Sequence, residues 1–114
     1  MEDLKIEAFD SPSGVRIFKL RGPLTIRTLF DFQDAARQSA GKSVILDLSD
    51  VPYMDSAGLG CVISVYTSCQ RDNRGFGIAG LADRVRMLFQ ITRVDGILPC
   101  FASIDAAEAA VAKS

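Results

Sequence analysis

The sequence contains no histidine and no tryptophan in 114 residues. Without an imidazole, the chain cannot supply the base of a Ser-His-Asp arrangement or a histidine ligand for a metal. Cysteine is scarce as well. Cys61, Cys69 and Cys100 are odd in number and show no Cys-x-x-Cys spacing. They read as reduced, mostly buried thiols of a cytoplasmic protein rather than a redox pair or a metal site. Neither sign of charge dominates: 13 basic and 14 acidic residues leave a net charge of −1. That gives no electrostatic footprint for nucleic acid or an acidic membrane surface. Long apolar runs are missing too. The stretch from Leu46 to Tyr66 is broken by Asp47, Ser49, Asp50, Asp55, Ser56 and Ser64, whereas a membrane helix needs about 20 mostly apolar residues. The opening Met-Glu-Asp-Leu-Lys carries charge where a secretory segment needs an apolar core.

What is present is an ordinary apolar share, 48%, in a length typical of one folded domain, here residues 1–114. Residues 4–8 alternate apolar and polar, and residues 15–20 are rich in β-formers. The Ser11-Pro12-Ser13-Gly14 turn between them makes a hairpin. After Gly22-Pro23 the period changes. Leu29, Phe32, Ala36 and Ala40 fall at helical spacing, with Thr28 as the expected N-cap and Gly41 as the stop. Residues 44–48 form a short apolar run suited to a strand covered on both faces. A helix is expected from Ser56 to Asp72, a strand over 76–79 and a helix over 82–92 with Val85, Leu88 and Thr92 on one side. A last strand over 97–101 contains Pro99, which argues for a sheet edge. Ser103 then caps a helix over 104–113 with Ile104, Ala107 and Val111 turned inward. The order β-β-α-β-α-β-α-β-α predicts an α/β domain: a mostly parallel five-stranded sheet with an N-terminal hairpin, right-handed crossovers and about four helices.

One segment carries more information than the rest. Residues 47–60, Asp-Leu-Ser-Asp-Val-Pro-Tyr-Met-Asp-Ser-Ala-Gly-Leu-Gly, follow the central strand and open the next helix. Carboxyl ends of strands are where α/β folds build sites. Ser56 stands at the helix start, where its hydroxyl would cap a first-turn amide. A serine there is often a cap and nothing more. Gly58 and Gly60 would keep the turn low enough for a neighbouring protein to reach Ser56. The first half of this helix has almost no polar side, so it is either buried or leaves an apolar strip at the surface. Tyr53 and Met54 should pack under the loop, and Asp47 should accept a hydrogen bond at the strand end. Arg71 and Arg74 suit the helix C-terminus, and Arg84, Arg86 and Arg93 a solvated face. A hydrolase reading lacks both Gly-x-Ser-x-Gly and a base. A nucleotide-binding reading lacks both Gly-x4-Gly-Lys-Ser/Thr and Gly-x-Gly-x-x-Gly.

The stretch Asp55-Ser56-Ala57-Gly58-Leu59-Gly60, preceded by Leu46-Asp47-Leu48-Ser49 and an aromatic-Met pair, resembles the STAS domain of bacterial anti-sigma factor antagonists. The likeness extends to the opening hairpin, the Arg21-Gly22-Pro23-Leu24 turn and the closing βα unit. It implies a right-handed βα superhelix and a non-enzymatic, cytoplasmic regulator that needs no cofactor. It also implies a partner-switching cycle. The unphosphorylated antagonist binds an anti-sigma factor serine kinase and releases the sigma factor. That kinase, which carries the ATP, phosphorylates Ser56, and a PP2C-type phosphatase resets the cycle. Asp55, Ala57, Gly58, Leu59 and Gly60 would line the docking surface with Ser56. Thr25 joins them, standing where many members carry an aspartate. Neither nucleic acid nor membrane is implied as a partner. Some similar proteins are instead non-switching scaffold subunits, for example of lipid-transporting ABC systems. Phosphorylation is expected to leave the fold nearly unchanged and to act at the interface, by placing charge beside Asp55.

Overall fold

The computed structural model describes residues 3–39 and 41–111. The elements run β1 (Lys5–Asp10), β2 (Arg16–Arg21), α1 (Leu29–Arg37), β3 (Val44–Asp50), α2 (Ser56–Arg71), β4 (Phe76–Leu81), α3 (Asp83–Ile91), β5 (Cys100–Phe101) and α4 (Ile104–Val111). The sheet has the order β1-β2-β3-β4-β5, antiparallel between β1 and β2 and parallel thereafter. Val44, Ile45 and Leu46 are fully buried, as a central strand covered on both faces requires.

Strand alternation divides the core in two. One cluster joins Phe18, Leu20, Leu46, Leu48 and Ile78 of the sheet to Phe32 of α1, Val62 of α2, and Val85 and Phe89 of α3. Phe18 and Phe32 meet edge to face, with centroids 6.1 Å apart. The other cluster packs Ile17, Ile45 and Ala79 against Ala107 and Val111 of α4. Because α4 lies over β3, β4 and β5, the same face of β1 is left open.

Several ends differ from the periodicity. α1 stops at Arg37 with Gln38 as its cap. Gly41 lies beyond, at φ +86°, while Ala40 is outside the described residues, as is Lys113. Thr28 stands at the N-cap of α1 as expected, but its hydroxyl caps no helical amide. Its hydroxyl donates to the Pro23 carbonyl at 2.8 Å and accepts from the Thr25 amide at 2.9 Å, so it braces the loop instead. In α3 the third inward residue is Phe89, and Thr92 is exposed. The last strand shrinks to two residues, after a 3-10 turn at Val94–Gly96. Pro99 has no amide to donate and adds only its carbonyl, which accepts from Ile78 at 2.8 Å. The Ser103 hydroxyl caps α4 through the Ala106 amide at 3.1 Å. Arg74 does more than complement a helix end. It is largely buried, and donates to the Ser39 and Lys42 carbonyls at 3.4 and 3.0 Å and to Asp72 at 3.3 Å.

The hairpin is tied to the rest by Asp10, which is bound by Arg16 and by Lys42, the latter at 2.5 Å. Those hydrogen bonds, Arg16 first, hold its carboxyl down to about 2 from an ordinary 3.8. A folded value below the unfolded one stabilises the fold at neutral pH. The contribution fades as pH falls from 3.8 towards 2. Asp10→Asn is expected to flatten that part of the acid-unfolding curve, measured as urea midpoint against pH. An unchanged slope would mean that these pairs add nothing.

Candidate functional site

Two loops meet at the carboxyl ends of β2 and β3. Leu24, after β2, and Met54, after β3, form an isolated parallel bridge. The Leu24 amide donates to the Tyr53 carbonyl at 3.2 Å, and the Leu24 carbonyl accepts from the Asp55 amide at 3.3 Å. Leu24 and Met54 are buried beneath this seam. Tyr53 is half-buried, with the Arg84 guanidinium 5.3 Å from its ring centre. Asp47 accepts from the Ser49 amide at 3.0 Å and the Ser49 hydroxyl at 2.7 Å, the structural role expected of it.

The helix cap falls one residue earlier than the sequence suggests. Asp55, not Ser56, is the N-cap of α2. One carboxylate oxygen accepts from the Gly58 amide at 2.9 Å. The other accepts from the Ile26 amide at 3.1 Å, which ties α2 to the β2–α1 loop. With two oxygens on one side chain, Asp55 serves both amides at once, each from a separate atom. Burial by itself raises the Asp55 pKa, but the amides of Gly58, Ile26, Ala57 and its own residue outweigh it. The carboxyl therefore stays below its ordinary value and remains ionised. Ser56 becomes the first residue of the helix and is exposed. Its hydroxyl has no capping duty.

The other expected site residues gather around it. Gly60 is exposed, Asp55, Ala57 and Thr25 are half-buried, and Gly58 and Leu59 are buried. Gly58 is small for an internal reason. A Cβ there would stand 2.1 Å from the Leu24 carbonyl oxygen. Gly60 faces open space, so only it fits the expectation of a low outer profile. Thr25 is a loop residue whose hydroxyl accepts from the Arg27 amide at 3.2 Å. Its carbonyl accepts from Thr28 and Leu29, which starts α1. The helix that looked apolar all round is two-sided. Leu59, Cys61, Val62 and Cys69 face the core, and Ser56, Gly60, Ser64 and Thr67 face out.

Two residues escaped the sequence reading. Ile26, in the turn before α1, and Phe30, in the first turn of α1, are 56% and 60% exposed, and the Asp55 bond holds Ile26 beside the start of α2. Both lie off the inward stripe of Leu29 and Phe32, which was the available signal. A large apolar group such as Ile26, standing in water near the exposed Ser56, suits a protein-contact surface. Among the described residues no cluster of three or more side chains is arranged to hold a metal ion. No helix among them is long and apolar enough to cross a membrane.

A family model described as the STAS domain matches residues 8–107. Among curated proteins, the chain is 28% identical over 83 residues to an anti-sigma-B factor antagonist of Staphylococcus aureus, covering 70% of this chain and 77% of the relative. Among solved structures it is similar to an anti-sigma factor antagonist from Mycobacterium paratuberculosis, with TM-score 0.84 and 22% identity over 95% of this chain and 93% of the other. It is also similar to the anti-sigma factor antagonist SpoIIAA in its unphosphorylated form, with TM-score 0.74 and 16% identity over 93% and 96%. At these identities the structural likeness speaks to the fold.

Proposed function

The chain belongs to the STAS domain family, and from that premise we propose that it is an anti-sigma factor antagonist that switches partners through Ser56. In its unmodified form it binds an anti-sigma factor with serine kinase activity, and the sigma factor is released. The carrying observation is that Asp55 takes over the cap and leaves Ser56 exposed at the first turn of α2. Around it, Gly60 offers a low outer surface, and Ile26 and Phe30 offer apolar anchors for the partner. Asp55 and Thr25 shape the rim, while Ala57, Gly58 and Leu59 hold the turn in place.

The chemistry asks little of this chain. The Ser56 Oγ attacks the γ-phosphorus of the ATP held by the kinase. The bond from that phosphorus to the bridging oxygen breaks, ADP leaves, and the hydroxyl proton passes to a base of the kinase. A PP2C-type phosphatase would reverse the modification. The chain supplies an accessible nucleophile and a surface, and catalysis lies with its partners.

Incubation with candidate anti-sigma kinases and ATP tests this reading. A mass gain of one phosphate is expected, absent from Ser56→Ala. A protein that binds an ATPase subunit and is never modified would instead be a constitutive scaffold, as in a lipid-transporting ABC system.

A further inference from the structure

The outermost strand, β1, is exposed along nearly its whole length. Its free backbone groups can be identified from its neighbour. In β2 the amides of Arg16 and, just past the strand, Gly22 donate to the Ser43 and Asp50 carbonyls on the β3 side. The odd-numbered residues Ile17, Lys19 and Arg21 therefore turn their backbone groups towards β1. They stand opposite Phe9, Glu7 and Lys5. The Ser11 amide, bound to the Val15 carbonyl at 2.9 Å, continues the same parity. It follows that Leu4, Ile6 and Ala8 present their N–H and C=O groups outward, as an open template for another strand.

Asp10 is paired, and Glu7 stands across from Lys19 without an ion pair to it, so Lys5 and Glu7 are the charges of this strand still open to a partner. Lys5 stands opposite Arg21, a like-charged cross-strand pair. Among the described residues neither Lys5 nor Glu7 makes an ion pair. Arg21 is the better served of the cations, with Asp50 at 3.7 Å.

We infer that β1 pairs antiparallel with β1 of a second copy of this chain, about a two-fold axis at Ile6, so that one sheet runs through both. In this register the outward backbone groups of Leu4, Ile6 and Ala8 meet those of Ala8, Ile6 and Leu4. Ile6 faces Ile6 on the side where Leu4 and Ile6 already pack on the core. On the open side, Lys5 of each copy faces Glu7 of the other, and each lysine gains the carboxylate it lacks. Neighbouring registers are worse. Centring on Glu7 sets glutamate on glutamate, and centring on Lys5 sets lysine on lysine. Centring on Ala8 sets Ile6 against Asp10, which Arg16 and Lys42 already hold. The strand is thus complementary to itself in one alignment, as an isologous interface requires.

Sedimentation of the full chain over a concentration series tests this. Wild type is expected to show a monomer–dimer equilibrium. Lys5→Glu and Glu7→Lys should each weaken it at least tenfold, because each sets like charges opposite one another twice. The double swap, K5E with E7K, should restore it. An equimolar mixture of the two single variants should form the mixed dimer that neither forms alone. Lys5→Glu also removes the Lys5–Arg21 repulsion within the monomer, so loss of its dimer would not be loss of fold. Melting curves verify this, and Lys5→Glu carries the test if Glu7→Lys folds poorly. A wild type that stays monomeric up to about 1 mM, a Lys5→Glu protein that dimerises like wild type, or a mixture that does not pair would overturn the inference.

Discussion

Phosphorylation of Ser56, or Ser56→Glu as its mimic, is expected to weaken binding to the anti-sigma kinase by about a hundredfold or more while leaving the helix spectrum unchanged. A hundredfold corresponds to about 2.7 kcal/mol. One charge buried without a partner costs about 3–5 kcal/mol, so the modification is sufficient. A phosphate at a helix start normally finds free amides and is well tolerated. Here the amides of Ala57 and Gly58 are already engaged by Asp55, which is held ionised. The new group, with about −1.5 to −2 charges, meets a like-charged neighbour on the proposed contact surface. The fold survives because Asp55, not Ser56, caps α2. Ser56→Ala should therefore bind within about threefold of wild type, since its hydroxyl takes no part in the cap. Ile26→Asp should weaken the unmodified complex without melting the domain, because Ile26 is 56% exposed. Calorimetric titration with the kinase, paired with far-ultraviolet circular dichroism, measures both effects. Unweakened binding of the phosphorylated protein, or loss of helix on phosphorylation, would rule the mechanism out.

How much of this was legible from residues alone follows a pattern. Elements with strong periodicity appeared in the right order, because burial on one or both faces writes itself into the spacing of Leu46, Phe32 or Val85. What the spacing did not reveal is what depends on a second segment. Asp55 and Ser56 are adjacent and both cap helices well. What favours Asp55 is the Ile26 amide, 29 positions away, which one carboxylate oxygen binds while the other holds Gly58. Thr28 keeps the N-cap position of α1, but its hydroxyl is taken by the Pro23 carbonyl for the same kind of reason. Phe30 looks like a minor irregularity of an amphipathic helix, and Ile26 like an ordinary loop residue until the Asp55 bond sets it beside α2. The stretch could therefore be singled out from its own sequence, but which of its residues caps α2 is set by the loop that closes over it.

Gly58 and Gly60 separate those two levels, and their alanine variants should move in opposite directions. At Gly60 an added methyl meets open space. Gly60→Ala should stabilise the protein by about 0.5–1 kcal/mol, the helix-propensity difference between the two residues. At Gly58 the same gain is offset by contact with main chain, at 2.1 Å from the Leu24 carbonyl oxygen and 2.8 Å from its carbon. Leu24 has no room to yield. It is fully buried, its amide is bound to Tyr53, and its carbonyl accepts from Asp55. Relieving the clash means parting the two loops and lengthening the Ile26–Asp55 bond. Overpacking of this kind costs about 1–3 kcal/mol, occasionally more. With backbone rather than a flexible side chain in the way, the upper part of that range applies. After the propensity gain, Gly58→Ala should be about 2 kcal/mol less stable than wild type, or about 8 °C lower in Tm. Binding gives the complementary readout. Gly60 lies one turn beyond Ser56 on the outer face, so its alanine variant should lose affinity for the kinase while gaining Tm. A Gly58→Ala protein as stable as wild type would show that the loops are not locked in this way. A Gly60→Ala protein that binds as wild type would move the docking surface off the first turns of α2.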